Sequence, residues 1–127
     1  MKKENIFLII GAFLGAITVI IGAFGAHSLH SLLLENGRIE TFKTAVDYQF
    51  YHTIGILIIG FVYRKNVNRL IKWAGLCMAV GIFLFSGSLY ILSISNNPML
   101  GAIAPIGGLF FITGWLFLAI GLYKEKK

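Results

Sequence analysis

The residues with the most chemistry in them stand where an apolar run begins. In VDYQFYHTIGILIIG, Val46 to Gly60, an aspartate, a glutamine and a histidine lead directly into an unbroken hydrophobic stretch. His52 can donate and accept a hydrogen bond at once, and an imidazole titrates near physiological pH, as a proton-coupled or ligand-gripping site requires. Gln49, Ser86 and Ser88 are its candidate partners, with Asp47, His27 and Tyr90 nearer the surface as an entrance. Ionisable groups inside a bilayer cost free energy unless paired, so such a cluster is a functional hypothesis by default. The competing account is structural: His52 and Gln49 bond to a neighbouring helix and fix its register, each bond contributing about 0.6 to 2 kcal/mol.

The elements that must carry these side chains follow from composition. The chain has 127 residues, 57% of them hydrophobic and only 13% charged, with a mean hydropathy of +0.83. That balance lies far from a soluble domain and belongs in a bilayer. Crossing roughly 30 Å of hydrocarbon takes about 17 to 25 apolar residues, and four such runs are present, at about 6–26, 46–63, 70–92 and 103–123. The expectation is an all-α integral membrane protein, a single four-transmembrane-helix bundle, multi-pass in the cell (inner or cytoplasmic) membrane. Ala23-Phe24-Gly25 imitates a signal-peptide cleavage site, but the first run exceeds the length of a signal core of about 7 to 15 residues.

Charge gives the threading. Lys2, Lys3, Arg64, Lys65, Arg69, Lys72, Lys124, Lys126 and Lys127 gather on one side, leaving Arg38 and Lys43 on the other. The positive-inside rule therefore predicts cytoplasmic N and C termini, and the net charge of +6 needs no nucleic acid to explain it. Leu29, Leu32 and Leu33 at helical spacing before Asn36-Gly37 predict a short amphipathic helix on the outer surface. Asn96-Asn97-Pro98 predicts a tight turn, and Pro105 opens the last span, where its missing donor is tolerated.

Depth can then be counted at about 1.5 Å per residue. From Arg64, His52 lies at about 18 Å, Gln49 at about 22 Å and Asp47 at about 25 Å. From Lys72, Ser86 lies at about 21 Å and Ser88 at about 24 Å; from Asn5, His27 lies at about 33 Å. A polar layer in the outer half of the membrane is the consequence. His27 and His30 could share one helical face, yet His52 lies about 15 Å deeper than His27, too far for a common ion bound near 2 Å. No metal site and no cofactor is expected. No paired-carboxylate, nucleophile–base or phosphate-loop constellation stands out, so the sequence reads as a non-enzyme. Cys77, alone in the third run, reads as apolar filler.

Glycine accounts for 15 residues, most inside the runs. Gly11, Gly15, Thr18, Gly22 and Gly25 form one small-residue stripe, and Gly107, Gly114 and Gly121 recur every seven residues on the last span. In lipid such stripes admit close helix packing, either sealing the bundle or building a homo-oligomer.

GAFGAHSL (22–29), TAVDYQFYHTIGIL (44–57), FSGSLYIL (85–92) and GAIAPIGGLFFITGW (101–115) resemble the small bacterial membrane proteins grouped as domain of unknown function 423, also called uncharacterised protein family 0382. The resemblance covers all four spans. It implies a four-helix membrane protein and brings no established activity, substrate or cofactor. The positions it marks in this chain are Gly22, Gly25, His27, Tyr48, Gln49, His52, Ser86, Gly87, Ser88, Tyr90, Pro105, Gly107 and Gly108. Ala104 stands where the family pattern has threonine, so a hydroxyl there is dispensable in this member, and His30 falls outside the motif.

Three functional expectations follow. The first is a binding or transport protein, homo-oligomeric in the lipid bilayer, whose outer polar pocket takes a small solute, a proton or a lipid head group. The second is a structural or interaction protein whose polar cluster only fixes packing. The third is an intramembrane metal-dependent enzyme.

Overall fold

The computed structural model describes residues 2–125. Helix α1 spans Ile6–Ala26, α2 His30–Asn36, α3 Ile39–Lys65 and α4 Arg69–Gly81. A π turn over Ile82–Ser86 joins α4 to α5, Gly87–Ser95, and a 3-10 turn over Pro98–Ala102 leads into α6, Ala104–Glu125. No strand occurs among the described residues. Four continuous helical stretches, Lys3–Ala26, Ile39–Lys65, Arg69–Ser95 and Pro98–Glu125, are long and apolar enough to cross a membrane. Two cations counted for the threading, Lys126 and Lys127, lie outside the described residues.

The first span matches the expected 6–26, whereas the second starts seven residues before the expected 46. Hydropathy finds only the part of a helix in hydrocarbon, and the 27 residues of α3 measure about 40 Å, so its first two turns stand in the head-group region. Glu40 in its first turn and Arg64 and Lys65 in its last complement the helix dipole at both ends. The third span likewise runs past the expected 92, to Ser95.

Turn chemistry ends the helices. Gly37 closes α2 in the left-handed region at φ 67°, and Arg38 N–H bonds Leu33 O while Gly37 N–H bonds Leu34 O, a Schellman closure that suits a residue without Cβ. Asn68 caps α4 by accepting from Leu70 N–H at 2.8 Å. Asn96 ends α5, also left-handed at φ 55°. Its Oδ1 accepts from Arg38 Nε at 2.9 Å, and Asn36 Nδ2 donates to Ser93 O at 3.0 Å, so the α2–α3 corner is tied to the end of α5.

The third span is the centre of the packing, with α6 along one side and α3 along another, and α1 packs on α3. Their common core comprises Phe7, Ile56, Ile59, Ile71, Met78 and Phe111, among others. Lipid tails are as apolar as these side chains, so association rests on fit. Both glycine stripes are used for that fit inside one chain. A Cβ at Gly11 would press on Leu57 and one at Gly25 on Phe42, both of α3. On α6, a Cβ at Gly107 would collide with the backbone of Phe85, one at Gly114 would lie 3.2 Å from Ala74 O, and one at Gly121 would strike Ile71. The seven-residue repeat is therefore the seam between α6 and the third span. It leaves the homo-oligomer expectation without the stripe that motivated it.

Candidate functional site: the polar layer around His52

Ala45, Gln49, His52 and Ile56 follow one another at helical spacing along the buried face of α3. Ala45 has no side chain beyond its methyl, and the π turn brings Ser86 against it; Ser86 Oγ donates to Ala45 O at 2.7 Å. A π turn carries one more residue per turn than its neighbours and so re-aims the side chains that follow. Gln49 Oε1 accepts from Tyr90 Oη at 2.6 Å. These two bonds pin α3 to the third span at the end of the π turn and one helical turn beyond it. Ser88 is turned away, onto its own chain, donating to Phe85 O at 2.9 Å.

His52 is held differently. Its Nδ1 lies 2.7 Å from Tyr48 O, and a carbonyl oxygen only accepts, so Nδ1 carries a proton and the neutral ring leaves Nε2 as an acceptor. The ring lies flat on Phe111 at 3.5 Å between centroids, with Tyr48 and Trp115 at 6.0 and 5.9 Å. Only the Thr53 hydroxyl, among the described residues, is both fully buried and without a hydrogen-bond partner. Nε2 has no partner in the chain either, so it retains a sliver of surface at the edge of the bundle.

The depth count holds to within a helical turn. His52 bonds the Tyr48 carbonyl and Ser86 the Ala45 carbonyl, three positions or about 4.5 Å apart along α3.

The layer is closed, however, where the sequence predicts an outward-opening pocket. Gln49, His52, Ser86 and Ser88 are all buried, with 3%, 6%, 0% and 5% of their surface exposed. The polar groups answer one another across the helix contact, which fills the space a pocket would need. Asp47 is half-buried, one turn from the buried face. His27 is exposed beyond the end of α1, in a shallow groove with Ile20, Ala23, Phe24 and Ser28, and it does not join the polar layer. No group of three or more His, Cys, Asp or Glu among the described residues has the arrangement to hold a metal ion. Phe85, Phe111 and Trp115, the aromatic surround of His52, were not singled out by the sequence; they carry no spacing signal that separates them from lipid-facing aromatics such as Phe13 and Phe83.

Helices, polar layer and glycine seams together define a four-span α-helical membrane protein. Residues 21–108 match the family described as protein of unknown function (DUF423), a stretch holding every residue of the polar layer. The chain is 44% identical over 121 residues to a UPF0382 membrane protein of Staphylococcus haemolyticus, covering 94% of this chain and 97% of that one. It is 38% identical to the UPF0382 membrane protein YwdK of Bacillus subtilis, covering 94% and 98%. To the UPF0382 inner membrane protein YgdD of Escherichia coli K12 it is 35% identical over 126 residues, covering 98% and 94%. The chain belongs to this family of membrane proteins. No solved structure matches it.

Proposed function

We propose that this is a non-enzymatic binding protein of the inner (cytoplasmic) membrane, with both termini in the cytoplasm, that grips a small solute, a proton or a lipid head group at His52 Nε2. One observation carries the reading: the Tyr48 carbonyl takes the Nδ1 proton, leaving the opposite nitrogen as a lone pair without a partner in the chain. The side-chain oxygens of Gln49, Ser86 and Ser88 already have partners, in Tyr90, Ala45 and Phe85, so these residues position the ring's surroundings, and the Gln49 Nε2 amide is the group of theirs left to meet a ligand. Asp47 lies on the approach. Transport by this bundle would need the α3 contact with the π turn to open, since the layer is closed. Self-association in this reading uses lipid-facing surfaces such as Ile112 and Leu116 of α6, because the glycine seams are occupied.

The alternative, a structural protein, draws on the same two cross-helix bonds, which fix register whatever His52 does. Diethyl pyrocarbonate separates the two, because it acylates an accessible unprotonated imidazole nitrogen. In a His27→Gln, His30→Gln background, the folded protein should be modified at His52 in mild detergent. Modification that waits for denaturation would hand the site to the structural account.

A further inference from the structure

At the α2 end of the bundle, α1, α2 and the first turns of α3 enclose a groove of about 230 Å³, separate from the polar layer. Gly22, Gly25, Phe42 and Val46 line it, with Lys43 and His30 among its polar members. Its polarity is graded along the membrane normal. Lys43 precedes Val46 by three residues on a helix that descends from this end, so it lies about 4.5 Å nearer the surface. His30 begins α2, past the end of α1. Gly22 keeps the deep end open, since even a Cβ there would lie 3.6 Å from its nearest neighbour, Val46, whereas Phe42 packs directly on Gly25 nearer the surface.

Two further observations say what fits. No salt bridge joins the described residues, so the Lys43 ammonium is not spent on Glu40 or Asp47, which lie outside the groove lining. The volume falls below the roughly 300 to 1,000 Å³ of pockets that swallow a drug-sized solute, while Gly22, Ile39 and Val46 of its lining stay part-exposed, so the slot opens sideways from the bundle, the direction in which a spanning helix pair meets lipid. An apolar slot open to lipid beneath a free cation has the chemistry of a phospholipid: a chain below, a phosphate above.

We infer that this groove binds one phospholipid of the surrounding leaflet, an acyl chain lying between α1 and α3 and the phosphate accepting from Lys43 and His30. This site is independent of the reading of His52. Native mass spectrometry of the full chain in mild detergent tests it, with phosphatidylglycerol as ligand and diacylglycerol, which has the same chains and no phosphate, as comparison. One phosphatidylglycerol should stay bound per chain and diacylglycerol should not. Lys43→Gln should weaken retention about tenfold, and Val46→Phe, filling the deep end, should abolish it without changing the melting transition. Lys65→Gln, at the opposite end of α3, should leave it unchanged. Equal retention of diacylglycerol overturns the phosphate contact; equal loss in Lys65→Gln, or undiminished binding in Lys43→Gln, overturns the site. Should Val46→Phe fail to fold, the double variant Lys43→Gln, His30→Gln decides in its place.

Discussion

The imidazole of His52 lies parallel to the ring of Phe111, 3.5 Å between centroids and 6° between planes. A flip about Cβ–Cγ would keep the stack but put carbon against Tyr48 O in place of Nδ1, so α6 sets the plane of the ring and the carbonyl of α3 sets its orientation and tautomer. Nitrogen NMR of the ring in detergent should show a protonated Nδ1 and a bare Nε2 in the neutral state. Phe111→Leu should broaden or split those signals. The opposite tautomer in the wild-type protein would remove the basis for a ligand at Nε2.

The Gln49–Tyr90 bond should behave as a true interhelical coupling. Removing either partner leaves a buried polar group unpaired: Tyr90→Phe strands Gln49 Oε1, and Gln49→Leu strands the phenol. A double-mutant cycle on unfolding in detergent should give a coupling of about 0.6 to 1.7 kcal/mol, the range found for such bonds in membrane helices. A coupling indistinguishable from zero would show that the bond does not hold α3 to the third span.

How much of this was legible in the sequence depends on whether the signal is local. Four apolar runs announce four spans because bilayer thickness sets their length, and Gly37 and Pro105 mark boundaries by their own backbone chemistry. That Gln49, His52, Ser86 and Tyr90 share one level of the bundle was legible too, since depth is a count along one helix. Contacts between helices were not. Nothing in the chain pairs Phe111 with His52, and the π turn at Ile82–Ser86 has no residue signature of its own. The same blindness affected Gly107, Gly114 and Gly121: a small-residue stripe shows that something packs closely there, and only the fold shows that it is α4 and the π turn of the same chain. It also made a closed layer look like a pocket, because polar residues that satisfy one another and polar residues that await a ligand have the same spacing.

Orientation rests on charge and can be checked directly. In a Cys77→Ala background, single cysteines at Glu35, exposed on α2, and at Val67, exposed between α3 and α4, report the two sides. An impermeant thiol reagent applied to intact cells should label position 35 and spare position 67. The reverse pattern would invert the topology and, with it, the leaflet facing the Lys43 groove.

Gly107 and Gly108 are neighbours with opposite surroundings, which makes them the sharpest test of the α6 seam. A Cβ at Gly107 would meet the Phe85 backbone at the π turn, where the main chain cannot yield without disturbing the Ser86 bond to Ala45 O. A Cβ at Gly108 meets nothing within 4 Å. Gly107→Ala should therefore cost about 1 to 3 kcal/mol by overpacking, and the loss should appear as a lower melting temperature of the monomer itself. Gly108→Ala should be neutral or slightly stabilising, because alanine is the better helix former by about 1 kcal/mol in water. If the glycines of α6 instead served contacts between copies, Gly107→Ala would shift the oligomeric state at an unchanged melting temperature. Comparing both variants by thermal unfolding and by size in nanodiscs reads the two effects apart, and a dissociated but equally stable Gly107→Ala protein would refute the seam.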